Sequence, residues 1–198
     1  MSFRSEPMLW IHLCGLAVVP ICLELCLLGL AIGDPILPMW FEMSLVAAIG
    51  VVPVLWMQLQ RPFYIFAILA IALKQEKLTT QQRQILSLIN TRANKILAVL
   101  AAVLLVVVLR HLYQIAPIAA STFHNVWRML GLLLAGVSFA LGNLFFQIPL
   151  SAIRVLVTSD AEFAATKPYS QEKIALDFTI LGLQVNQLLP IANTHTEN

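Results

Sequence analysis

Glu24 and Arg110 are the residues of this 198-residue chain best placed to do chemistry, because each interrupts a long apolar run. An ionisable side chain in such a run is expensive and commonly marks a charge pair or a polar path. Helical rise places Glu24 about 24 Å along the run that begins at Met8, and Arg110 about 22 Å along the run that begins at Lys95. Equal depth predicts a Glu24–Arg110 pair, with His111 and Glu42 close by. Such a pair could fix helix register, or it could line a path for ions or protons. One acid–base pair is little to build a path from, and an arginine can snorkel outward, so register is the stronger reading.

Other reactive types are sparse. His12, near the start of the first run, and His111, near the end of the third, could each ligate a pigment or haem through imidazole. Chlorophyll or carotenoid are the ligands worth testing there, although no cofactor is predicted: a lone histidine near an interface is more often just hydrogen-bonded. Cys22 and Cys26 share a helix face at i,i+4, yet with Cys14 they all fall in one run and cannot make a disulfide framework. Small apolar residues packing in a helix are their ordinary reading, so no metal site is predicted. The sequence contains no phosphate loop, zinc-protease helix, paired-cysteine motif or nucleophile elbow. A non-enzymatic role is therefore expected.

The elements that carry these residues are long and apolar. Hydrophobic residues make up 60% of the chain and charged residues 11%, with a mean hydropathy of +0.86. Four runs are long enough to cross a bilayer, at about 8–32, 40–60, 95–117 and 126–153. The first exceeds a signal-peptide core and is read as an anchor. The apolar run 62–73 covers only about 18 Å as a helix, so it is expected to lie along the interface or re-enter. With the N-terminus inside, Arg4, Arg61, Lys74, Lys77, Arg83, Arg92, Lys95, Arg154, Lys167 and Lys173 are all inside. Only Arg110 and Arg128 of the 12 basic residues then fall toward the outside. The positive-inside rule predicts both termini in the cytoplasm. Trp10, Trp40, Trp56, Tyr64, Tyr113 and Trp127 mostly fall near span ends, as an aromatic belt does. The net charge of +2 is too small to suggest nucleic acid.

The predicted fold is thus an all-α integral membrane protein of two helix hairpins with added amphipathic helices. Thr79-x-x-Gln82 fits a capping box for a cytoplasmic helix over about 80–93. Ile174, Phe178, Leu181, Val185 and Leu188 recur at helical spacing, predicting a tail helix over about 171–188. Residues 191–198 are polar and expected to be disordered. On the fourth span, Gly131, Ala135, Ser138 and Gly142 share a face that allows close helix approach, and Asn143 and Gln147 can hydrogen-bond a neighbour. The halves 1–94 and 95–190 also match in order: Pro35-Ile36 with Pro117-Ile118, Trp40 with Trp127, Gln75-Glu76-Lys77-Leu78 with Gln171-Glu172-Lys173-Ile174. An internal duplication about an axis along the membrane normal would produce this, and so could chance in Leu-rich sequence.

Several strings carry a resemblance. Trp10-Ile11-His12-Leu13, Gly33-Asp34-Pro35, Pro53-Val54-Leu55-Trp56-Met57-Gln58 and Arg61-Pro62-Phe63-Tyr64 resemble a cyanobacterial family, the low-complexity tail membrane proteins. Glu162-Phe163-Ala164-Ala165-Thr166 and Asp177-Phe178-Thr179-Ile180-Leu181-Gly182-Leu183 do so too, so the likeness reaches nearly to Pro190. The family is named for a long biased tail, and here only eight residues follow Pro190. The resemblance implies a cyanobacterial membrane, the thylakoid being the likelier of two, and no ligand residues. The expected function is an accessory or assembly subunit of a thylakoid complex, with photosystem or assembly proteins as partners. A small homo-oligomeric transporter or channel subunit is the alternative.

Overall fold

The computed structural model describes residues 2–68, 70–119 and 127–188. Four helices long and apolar enough to cross a membrane run Pro7–Ala31, Met39–Gln60, Arg92–Ala119 and Arg128–Val157, here called the first to fourth spans. The first has a 3-10 step at Gly15–Ala17, where Pro20 cannot donate to the Leu16 carbonyl. The second is interrupted at Val51, two residues before Pro53, for the same reason. The third begins three residues earlier than hydropathy alone predicts.

The fourth span is the centre of the bundle: it packs along the first span and against the second, and the third leans mainly on the first. Small residues set these distances. A Cβ on Gly29 would lie 2.6 Å from the Ala135 backbone nitrogen, and one on Gly131 would lie 2.6 Å from the Gly29 carbonyl. Gly142 meets Cys22, and Gly136 meets Ile49. Gly131, Ala135, Ser138 and Gly142 are all buried, so the small-residue face is spent inside this chain.

The opposite end of the bundle carries a compact cap, and here the all-α expectation is corrected. The segment 62–73, expected along the interface or re-entering, is not a helix. Ala67–Ile68 (β1) and Ile71–Leu73 (β2) form an antiparallel hairpin, and β2 pairs in parallel with Leu183–Val185 (β3). The tail helix ends early for the same reason. It spans only Gln171–Asp177, after which Thr179 pairs with Phe63 and β3 joins the sheet. Tyr64 N–H donates to the Thr179 carbonyl at 3.1 Å, and Thr179 N–H to Pro62 at 3.0 Å. Arg61 adds a bond to the Ala175 carbonyl.

The capped helix runs Thr80–Ile89, shorter than 80–93, with both capping-box bonds between Thr79 and Gln82 formed. Its apolar face, Ile85, Leu86, Leu88 and Ile89, is buried in a core with Tyr64, Ile65, Phe66, Ile174 and Phe178. Phe3 stacks on Phe163 with centroids 4.0 Å apart, and Arg4 pairs with Asp160 at 2.6 Å. The N-terminal segment and the tail are therefore held at one end of the bundle, with ten of the basic residues. The strings matched between the two halves agree in part: Trp40 and Trp127 both stand at helix starts, whereas Gln75–Lys77 is a 3-10 turn and Gln171–Asp177 an α-helix. The expected disorder of 191–198, and Val126 at the start of the fourth span, lie outside the described residues.

Gly182 closes the sheet. Its φ is +90°, and a Cβ there would lie 1.9 Å from the Ala70 carbonyl oxygen, which accepts the Leu183 N–H at 2.7 Å. Gly182→Ala is expected to cost about 1–3 kcal/mol and to release β3. Limited proteolysis in mild detergent should then cut within 178–188 while the spans stay protected.

Candidate functional site

Where the first span ends, the last carbonyls have no helical partner, as at every helix C-terminus. Gly33, with φ of 68°, turns the chain there in a conformation that glycine adopts without strain. The turn aims the carbonyls of Leu30, Ile32 and Gly33 at one point. Arg128 fills it: Nη1 donates to Leu30 at 2.6 Å, to Ile32 at 2.9 Å and to Gly33 at 3.4 Å. Its Nε and Nη2 both donate to the carboxylate of Glu42, Nε at 3.2 Å from each oxygen. Tyr113 Oη, from the third span, donates to the same carboxylate at 2.7 Å. The N–H groups of Ile36 and Leu37 complete the shell at 3.2 and 3.4 Å. All four spans thus meet at one ion pair.

The pair is dry, with Glu42 0% and Arg128 4% exposed. Its electrostatics are lopsided in a useful way. Glu42 lies in the first turn of the second span, where helix dipoles favour an anion; Arg128 opens the fourth span, where they disfavour a cation. Three carbonyls and a carboxylate offset that cost. A cavity of about 170 Å³ adjoins the pair, lined by Gly33, Pro35, Tyr113 and Arg128, yet the carboxylate and the guanidinium are both engaged by protein groups, so the arrangement reads as a clamp.

The comparisons with known proteins bear on the chain as a whole. Residues 5–190 match the low-complexity tail membrane protein-like family. The chain belongs to this family. No curated protein matches it, and neither does any solved structure.

Within this family member the expected Glu24–Arg110 pair does not form. Glu24, Arg110 and His111 are all exposed on the outside of the bundle, and Glu42 takes Arg128 as its partner. Position along a helix does not fix the face a residue takes. Glu24 sits two residues from both Cys22 and Cys26, which are buried, so it faces the other way. A helical wheel drawn on the cysteines, alanines and glycines would have found this. Glu42 and Arg128 are 86 residues apart, the same separation as Glu24 and Arg110.

The two histidines are far apart in role. His12 bonds the Ile65 carbonyl at 2.7 Å and meets the Phe63 ring edge-on, tying the first span to the cap. It also lines an apolar cavity of about 360 Å³ with Phe63, Leu144, Phe145 and Ile148. His111 contacts only Gln114, at 3.3 Å, among the described residues. Cys22 and Cys26 are buried and Cys14 is exposed, all as free thiols.

Lower in the bundle a second polar set runs along the fourth span. Asn143 donates to the Gly50 carbonyl at 2.9 Å, beside the break in the second span, and Gln147 donates to Asn143 at 2.8 Å. Asn94 donates to Ser151 at 3.1 Å.

Truncating either partner of the clamp strands a buried charge. Glu42→Ala and Arg128→Ala are each expected to cost about 3–5 kcal/mol, and Tyr113→Phe about 1 kcal/mol. Thermal unfolding in mild detergent should show Glu42→Leu/Arg128→Leu destabilised by much less than the sum of its single changes; strict additivity would dissolve the pairing.

Proposed function

We propose that the protein is a non-enzymatic accessory or assembly subunit of a cyanobacterial thylakoid complex, photosystem-related, with its cap and both termini in the cytoplasm. The observation that carries this reading is the bundle interior. Between Arg128 and Asn143 the buried face of the fourth span is Gly131, Leu132, Ala135, Gly136, Ser138, Phe139 and Gly142, and the third span adds Leu105 and Leu109. That stretch covers about 22 Å of helix without an ionisable group. The interior is built to hold shape, with no polar route between its two charged ends among the described residues.

Two further features support it. The ten basic residues at the cap end favour a cytoplasmic cap by the positive-inside rule. Leu176 and Leu183 are 70% and 77% exposed on that cap, apolar surface suited to a partner or to the bilayer face. The thylakoid and photosystem assignment rests on the cyanobacterial resemblance of the sequence.

A small homo-oligomeric transporter is the second reading, favoured by the outward placement of Glu24 and Arg110. It would need a polar seam between copies, and Glu24→Gln would then abolish flux in proteoliposomes.

Gentle detergent purification from the native membrane, with mass spectrometry and an absorption spectrum, separates the two. Photosystem or assembly proteins in stoichiometric amount are the expected result. A colourless preparation containing this chain alone would overturn the accessory reading.

A further inference from the structure

Glu24, Arg110 and His111 stand outside both polar sets of the bundle. Glu24 adjoins Leu23 and Leu27, which pack on the cluster that holds Ala102, Leu105 and Leu109. Glu24 is therefore exposed beside that packing, on the surface of the first span. Arg110 and His111 follow Leu109 directly and leave the cluster on the outer face of the third span.

Their depths differ by less than one helical turn when measured from the clamp. Glu24 lies six residues inside Leu30, about 9 Å, and Arg110 lies three residues inside Tyr113, about 5 Å. Leu30 and Tyr113 both belong to that clamp. Neither Glu24 nor Arg110 bonds a described residue, and the segment 120–126 contains no Asp or Glu that could pair with Arg110. Glu24 is about 10 Å from the outer end of its helix and about 25 Å from the inner end. That is beyond the reach of a glutamate side chain. A carboxylate placed against hydrocarbon demands cover.

We propose that a second copy of this chain supplies it, with Glu24 of each copy set against Arg110 and His111 of the other. A two-fold axis along the membrane normal preserves depth, so an acid on one copy stands within one helical turn of the base on its mate, twice over. One contact satisfies both unpaired charges. Around them the two spans offer an apolar surface, Ile21 and Leu25 on the first and Leu100, Val103 and Val107 on the third, that can pack on itself. This pairing is independent of the accessory reading: a dimer could serve within a larger complex or alone.

The test is disulfide trapping in native membranes. Cys14, Cys22 and Cys26 are replaced by Ala, and Glu24→Cys and Arg110→Cys are introduced together. Mild oxidation is expected to give a covalent homodimer, while either new cysteine alone gives little. No cross-link, a cross-link within one chain, or an adduct with another protein would each overturn the proposal. A second measurement covers loss of folding. Glu24→Arg and Arg110→Glu, each confirmed folded by thermal unfolding, should weaken self-association in detergent roughly ten-fold, and the double exchange should restore it. Failure of the double exchange to restore would also count against the pairing. Trapping reads contact between copies, and co-purification reads foreign partners, so the two results stay separate.

Discussion

The ion pair between Glu42 and Arg128 is the constraint on which the end of this bundle away from the cap depends. It joins the end of the first span, the starts of the second and fourth, and a tyrosine of the third, so no span can rotate without stranding one of its members. Burying two charges is costly, and a pair of apolar residues of similar volume can be as stable. What an apolar pair cannot do is choose. Three carbonyls, two N–H groups and a phenol accept one geometry only, which fixes helix register where hydrophobic packing alone would tolerate slippage. Arg128 also supplies the donors that the terminal carbonyls of the first span lack, in a region where water is scarce.

The cap end is organised on the opposite principle. Many moderate contacts share the work: Arg4 with Asp160, Arg154 with the Leu88 carbonyl, Tyr169 with Asp177, Asn90 with Tyr169. Each is replaceable, and most are half-exposed. Their joint effect is to seat a small sheet and the short helices on the bundle through one continuous core. One end is therefore rigid because of a single dry site, and the other because of redundancy.

How much of this was legible in sequence follows from the range of each interaction. The spans were readable because hydropathy is a local sum, and the capped helix because a capping box needs four residues. The sheet was not. β2 and β3 pair in parallel across more than a hundred residues, and the apolar spacing of Ile174, Phe178 and Leu181 fits a helix as well as it fits a helix followed by an extended strand. Gly182 itself was the available hint, since a glycine inside a periodic run often marks where a helix ends. For the charges, rise along the helix gave depth, but the face required knowing which side packs. The matched tryptophans, Trp40 and Trp127, carried the better signal: Glu42 and Arg128 follow them by two residues and one.

Glu24 and Arg110 face outward because the interior has no room for them. Backbones approach so closely at Gly29, Gly131 and Gly136 that even a methyl group would collide with a main-chain atom or a neighbouring side chain. Ionisable groups fit only at the clamp, where each has its partners, or outside altogether. Close packing by glycine thus secures the bundle and leaves the charges of its apolar spans outside it in a single step. The same stripe that makes the fold compact leaves an acid and a base on its surface, each at a depth where lipid offers it nothing.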